Sequence, residues 1–263
     1  MIKNPTYTAE LVTSRCSMEL SLNGVPTFNS FEEATVSVDW NLNLLILESG
    51  AQNLTLKIMP LKGEQTIRKN AIARIKIVVR EAVEEYVPQE IVSEEVEITF
   101  KEKENLPVYL HKMSFSAKVP YQFQGWKNSV DLSKEDKGKL YSEVIQWNKK
   151  LLAMHHNFDT ESYLKAFDDK NKEVFKALYL SDREIEDENK SIFNPNDKDL
   201  IPLKDNLYQL ELFAEGKLVS VRLPYELPGF TYEPKVKNED SMGFSQTIYF
   251  HRKKQAGPLE IIR

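Results

Sequence analysis

Cysteine is almost missing: Cys16 is the only one in 263 residues. A lone thiol cannot close an intramolecular disulfide, so the fold must be held by cores rather than staples. Cys16 stands in the alternating run Cys16-Ser17-Met18-Glu19-Leu20, which reads as a buried strand thiol, because no base is placed beside it by any motif. Glycine is scarce as well, at nine residues. No phosphate-cradling Gly-rich loop, Gly-x-Ser-x-Gly or Cys-x-x-Cys motif occurs, so no cofactor is expected. No apolar run approaches the roughly 18 residues of a membrane-spanning helix. The opening Met1-Ile2-Lys3-Asn4-Pro5 has neither an apolar leader region nor a small-residue cleavage site. These features predict a cytoplasmic protein, or a periplasmic one if a leader has been removed. An excess of positive charge is also lacking. Lys and Arg number 35 against 40 Asp and Glu, a net charge of −5. Through Val119 the balance is 13 against 16, and beyond it 22 against 24. Neither half is a basic module, which argues against nucleic-acid binding and leaves a basic protein partner open.

What is present is the composition of a globular chain, 41% hydrophobic and 29% charged. The length implies two domains. The first part reads as strands. Tyr7 to Thr13 is apolar-rich. Met18, Leu20 and Leu22 alternate up to an Asn23-Gly24 turn. Val36, Val38 and Trp40 alternate next, and Leu42 to Leu47 continues as an apolar run. Gly50 to Asn53 reads as a second turn. Leu54, Leu56 and Ile58 then share one face, as do Ala73, Ile75, Ile77 and Val79, and Val96, Ile98 and Phe100. Val108 to Val119 is the last candidate. Seven or eight short strands without a helix predict an antiparallel β-sandwich over residues 1–120. Pro120, Gly125 and the charged run Ser133 to Lys139 break the pattern, and Trp126 lies in this boundary stretch.

Residues 121–263 open with helices. Leu140, Tyr141, Val144, Trp147, Leu151 and Met154 recur at three- and four-residue intervals. Asp159 or Thr160 caps a further helix carrying Tyr163, Phe167, Val174, Phe175 and Leu178, with a break near Asp168 to Lys172. Ser181-Asp182-Arg183-Glu184 has the capping-box spacing of a short helix. Strands return after Pro202: a hairpin of Leu207 to Phe213 and Leu218 to Leu223, then Phe230 to Val236, Phe244 to His251, and Leu259 to Ile262. Helices followed by an antiparallel sheet predict an α+β domain.

Candidate chemistry is thin. His155-His156-Asn157-Phe158-Asp159 is the densest group of metal-capable side chains. Adjacent histidines diverge on a helix, and Asp159 falls past the helix end, so the spacing describes a helix C-terminus with dipole-compatible histidines and predicts no metal site. His111 and His251 are isolated. No nucleophile, base and orienter appear together, so no catalytic residue is assigned and the chain is expected not to be an enzyme. Two acidic stretches stand out: nine Glu between Glu81 and Glu104, and seven acids between Asp182 and Asp199. They describe either a solvated face or a docking surface for a basic partner. On the second reading Glu184, Glu186, Asp187 and Glu188 steer the partner. Tyr225, Phe230 and Tyr232, in the aromatic stretch Pro224 to Tyr232, then serve as anchors, with core packing the competing role for half of these rings.

Three resemblances follow from these residues. Leu22-Asn23-Gly24-Val25-Pro26, with Leu47-Glu48-Ser49-Gly50-Ala51-Gln52-Asn53-Leu54-Thr55-Leu56-Lys57-Ile58-Met59-Pro60, resembles galactose-binding-like jelly rolls over about 40 residues and implies a sandwich more than a sugar site. The order of helices, a hairpin at Glu215-Gly216-Lys217 and long strands ending in Ile261-Ile262 is similar to the cone-shaped NTF2-like family, whose sheet is also described as cystatin-like. That resemblance implies a small-molecule binder, or an enzyme with Asp, Tyr or His inside the cone, as the alternative function, alongside a carbohydrate binder with an aromatic-lined cleft in the first domain. The acidic, motif-free two-part chain as a whole resembles immunity proteins that neutralise toxins delivered by type VI secretion between Gram-negative bacteria. It implies a cognate protein toxin as partner.

Overall fold

The structure is a computed structural model that describes residues 2–31, 33–82, 89–100, 105–236 and 243–263. The chain divides into two compact units, Met1–Phe123 with Lys176–Tyr179, and Gln124–Phe175 with Leu180–Arg263. The described residues form four antiparallel sheets and a few helices, a β plus α+β protein.

In the first unit the strands are β1 (Pro5–Ser14), β2 (Ser17–Leu22), β3 (Val25–Ser30), β4 (Val36–Asn41), β5 (Gly50–Met59), β6 (Ile72–Glu81), β7 (Glu90–Thr99) and β8 (Tyr109–Ala117). They pair as β4-β1-β6-β7 and β3-β2-β5-β8, two sandwich-like sheets. The period-2 pattern decides which faces are inside. Leu54, Leu56 and Ile58 of β5 and Ala73, Ile75 and Ile77 of β6 are buried, and burying each large aliphatic side chain stabilises by about 1.5–3 kcal/mol. Rings join the two sheets: Tyr7 lies 5.5 Å from Phe115, and Phe28 lies 5.2 Å from Trp40. The Asn23-Gly24 turn has positive φ at both residues, 52° and 78°, as a type I′ hairpin requires. Its side chain also ties the turn to β5: Asn53 N donates to Asn23 Oδ1 at 3.0 Å, and Asn23 Nδ2 donates to Gln52 Oε1 at 2.8 Å.

Two sequence expectations change here. Gly50 to Asn53 is not a turn but the start of β5, where Gly50 pairs with Ala117. Leu42 to Leu47 is not a strand. Asn43 N donates to Asn41 Oδ1 at 2.8 Å, which bends the chain into a 3₁₀ turn at Asn43–Leu45, while Leu42, Leu45, Ile46 and Leu47 stay buried. Buried Asn43 is satisfied in return, accepting from Tyr7 N and donating to the Pro5 carbonyl.

The second unit holds α1 (Lys137–Asn157), α2 (Thr160–Ala166), most of α3 (Asp168–Ala177) and α4 (Asp182–Lys190). Its strands are β9 (Leu200–Pro202), β10 (Gln209–Phe213), β11 (Leu218–Arg222), β12 (Gly229–Pro234), β13 (Phe244–Thr247), β14 (Phe250–His251) and β15 (Glu260–Ile261), in sheets β10-β11-β14-β15 and β13-β12-β9. Asp136 caps α1 by accepting from Lys139 N at 2.7 Å, and Phe158 ends it in the left-handed region. The stripe Leu140, Val144, Ile145 and Leu151 packs on Val219, Val221, Phe230, Tyr232 and Phe250 of the sheets. Asp159 caps α2, and the helical run breaks at Phe167. The expected strand from Phe244 to His251 is two strands in two sheets. At Ile248 and Tyr249 the backbone leaves β12 and bonds to Pro228 and Arg263 instead.

Gly229 fixes the approach of β12 to β13. Its φ is +152°, and a Cβ there would stand 1.9 Å from the Gln246 carbonyl oxygen. Gly229→Ala should therefore destabilise by about 2–4 kcal/mol in urea unfolding, through backbone strain and displacement of β13. An unchanged midpoint would show that the pairing relaxes freely.

Candidate functional site

Helix α4 has no buried residue. A nine-residue helix in which only Ile185 and Asn189 are even half-buried has limited tertiary support, and local charge adds to it. Ser181 and Glu184 form a capping box: Ser181 N donates to Glu184 Oε2 at 2.7 Å, and Glu184 N donates to Ser181 Oγ at 3.4 Å. Hydrogen bonds from the Ser181 hydroxyl and amide hold the Glu184 carboxyl below its usual range. Lys190 pairs with Glu186 at 2.7 Å, and Arg183 approaches Asp187 at 3.9 Å. Five acids against two bases leave the helix strongly negative, and Glu184, Glu186, Asp187 and Glu188 are all exposed.

The aromatic candidates separate. Tyr225 is 45% exposed, whereas Phe230 and Tyr232 are fully buried. This corrects the reading of the last two as surface anchors. They are alternate residues of β12, so both turn to the same inner face. Tyr232 packs 5.1 Å from Phe244, and Phe230 lies 6.1 Å from Tyr208. The alternation Phe230-Thr231-Tyr232 is the signal that marks them as core. Of the other acidic stretch, Glu84, Glu85, Glu102 and Glu104 lie outside the described residues.

The chain leaves α4 at Ser191 and runs along the wall of a cleft of about 420 Å³, where Ser191, Asn194 and Asp197 meet His155, Tyr163 and Gln246. His155 sits in the last turn of α1, and its Nδ1 lies 2.7 Å from Asp197 Oδ2, both side chains buried. Asp197 belongs to a short 3₁₀ turn, Pro195–Asp199, where the same oxygen accepts from Asn194 N at 3.1 Å. A carboxylate only accepts, so His155 Nδ1 donates this bond. Phe193 and Phe244 stand 5.1 and 5.2 Å from the imidazole. Gln246 Nε2 donates to Tyr163 Oη at 2.7 Å, and burial pushes the Tyr163 phenol up to about 12. His155 Nε2, Gln246 Oε1 and the Tyr232 hydroxyl are buried without a hydrogen-bond partner among the described residues. Each such orphan costs about 1–3 kcal/mol.

This arrangement has the base and the orienting acid of a proton-transfer site. No nucleophile completes it among the described residues: the Ser191 hydroxyl donates to the Glu188 carbonyl at 3.1 Å. His156 is used elsewhere, its Nε2 lying 2.7 Å from the Leu200 carbonyl oxygen. The partner of His155 is 42 positions away in the chain, a distance at which no motif signals a pair, so sequence reasoning saw the histidine and missed the aspartate.

No protein-family model, curated protein or solved structure matches the chain. Among the described residues no helix is long and apolar enough to cross a membrane.

Proposed function

We propose that this chain is a binding protein without catalytic activity, and that it neutralises a basic protein partner as an immunity protein neutralises a type VI toxin. The observation that carries the reading is α4: a helix that contributes no buried residue, holds itself together by local pairs and presents net negative charge. Complementary charge speeds encounter and sets specificity. Tyr225 supplies an exposed ring in the same unit. A galactose-binding-like sandwich for the first unit and an NTF2-like domain for the second are part of the proposal, on the sequence resemblances alone. Capture of a partner followed by co-expression tests the proposal. Nanomolar affinity together with relief of toxicity supports it, and failure of either overturns it.

The charge argument has its own test. Glu186, Asp187 and Glu188 replaced together by Lys should slow association on the order of tenfold at low salt and flatten its salt dependence. Glu184 is kept, because it closes the capping box. An unchanged association rate would return α4 to the role of a solvated face.

A second reading is favoured by one observation. An Asp, a Tyr and a His line one cleft together with orphaned polar atoms, which is what the NTF2-like resemblance implies for a small-molecule binder or enzyme. A saturable thermal shift with one compound from a panel of sugars and small acids would favour this reading over the first.

A further inference from the structure

The second unit contains another group of chemistry-bearing side chains that neither reading uses. Asp169 lies in the first turn of α3, while His251 of β14 and Glu260 of β15 are directly opposed across the sheet. Opposed residues present their side chains on the same face. One ring nitrogen of His251 and a carboxylate oxygen from each of Asp169 and Glu260 lie within 4.8 Å of one another. His251 is 2% exposed, and burial pushes its imidazole below the ordinary histidine value, toward the neutral form. Its Nδ1 lies 2.8 Å from Ser129 Oγ, and its Nε2 has no hydrogen-bond partner among the described residues.

We propose that Asp169, His251 and Glu260 bind a divalent transition-metal ion of the zinc class, with Lys253 as the competing cation. Lys253 Nζ now sits 2.5 Å from Asp169 Oδ2 and 2.7 Å from Glu260 Oε2, so a positive charge already occupies the seat between the two carboxylates. The ammonium has only protons to give. It pairs with both oxygens, while His251 Nε2 is left without a hydrogen-bond partner among the described residues. A metal ion satisfies all three donors at once. One imidazole with two carboxylates suits zinc and its neighbours, whereas calcium and magnesium prefer all-oxygen sites. Ser129 has the place of the outer partner that orients a metal-bound histidine. Ser129, Asp169, His251 and Lys253 also border a cleft of about 380 Å³, from which water can fill the remaining coordination position. The Lys253 side chain is half exposed, so it can swing into solvent when displaced.

The test is titration of the full chain, stripped with chelator, with Zn²⁺ by calorimetry and with Co²⁺ by visible absorption. The expected result is one ion per chain at micromolar affinity or tighter, with the intense Co²⁺ bands of a low-symmetry, four- or five-coordinate site. Glu260→Gln and Asp169→Asn change partly exposed side chains and should each weaken binding at least about tenfold. Lys253→Met removes the competitor and should tighten binding on the order of tenfold. The proposal is overturned if neither the parent nor Lys253→Met binds below about millimolar. It is overturned equally if binding ignores Glu260→Gln and Asp169→Asn, which places the ion elsewhere, or if Lys253→Met fails to tighten it.

Discussion

Tyr232→Ala should cost about 3–5 kcal/mol of stability, the range for truncating a large buried ring. Tyr232→Phe should cost nothing or stabilise slightly. The side chain is fully buried between Phe244 and the stripe of α1, so the alanine variant leaves a cavity the size of a ring. The hydroxyl has no hydrogen-bond partner among the described residues, and burial raises the phenol well above its ordinary value. Removing an unpaired buried hydroxyl removes a desolvation penalty and no bond. Urea unfolding of the two variants measures both effects. An anchor at a partner surface would behave differently: Tyr232→Ala would fold with nearly full stability and lose affinity alone. Tyr225, at 45% exposure, is the residue of which that behaviour is expected.

The contrast between these two tyrosines marks what the sequence could convey. Alternation is a local property, so β5, β6 and the Asn23-Gly24 hairpin could be read directly from spacing and turn chemistry. So could the capping box at Ser181 and the end of α1 near His155. Features that depend on distant partners left no such trace. Leu42 to Leu47 is apolar because it is buried, but the Asn41 side chain bends it into a turn, and hydrophobicity alone does not separate a buried loop from a buried strand. Phe244 to His251 alternates like one strand. Its two halves belong to different sheets because Ile248 and Tyr249 take backbone partners from Pro228 and Arg263. The cleft is the extreme case. Its histidine, aspartate, tyrosine and glutamine come from α1, the Pro195–Asp199 turn, α2 and β13, and only the fold brings them together.

Asp197→Ala should destabilise the second unit by about 3 kcal/mol, because it breaks a buried pair and leaves one partner behind. Two donors lose their acceptor together: His155 Nδ1, and the Asn194 amide that opens the 3₁₀ turn. The imidazole would then be buried among Tyr163, Phe193 and Phe244 with both nitrogens unsatisfied. Asp197→Asn separates this structural cost from function. Both donors bond the same oxygen, so an amide oxygen in that place can accept from both, and the loss of stability should be at most about half as large. Its NH₂ group, however, can donate to Nδ1 and so favours the tautomer in which Nε2 carries the proton. If the cleft binds a small molecule or moves a proton through the Nε2 lone pair, a folded Asp197→Asn variant loses ligand binding or turnover by two orders of magnitude or more. If the protein acts through the face of α4, the same variant holds its partner with affinity within about twofold of the parent, since none of the four steering carboxylates has moved. Measuring unfolding, partner affinity and compound-induced thermal shift on this single variant therefore decides between the two readings. A variant that kept full stability would show that the His155–Asp197 contact contributes little to the fold.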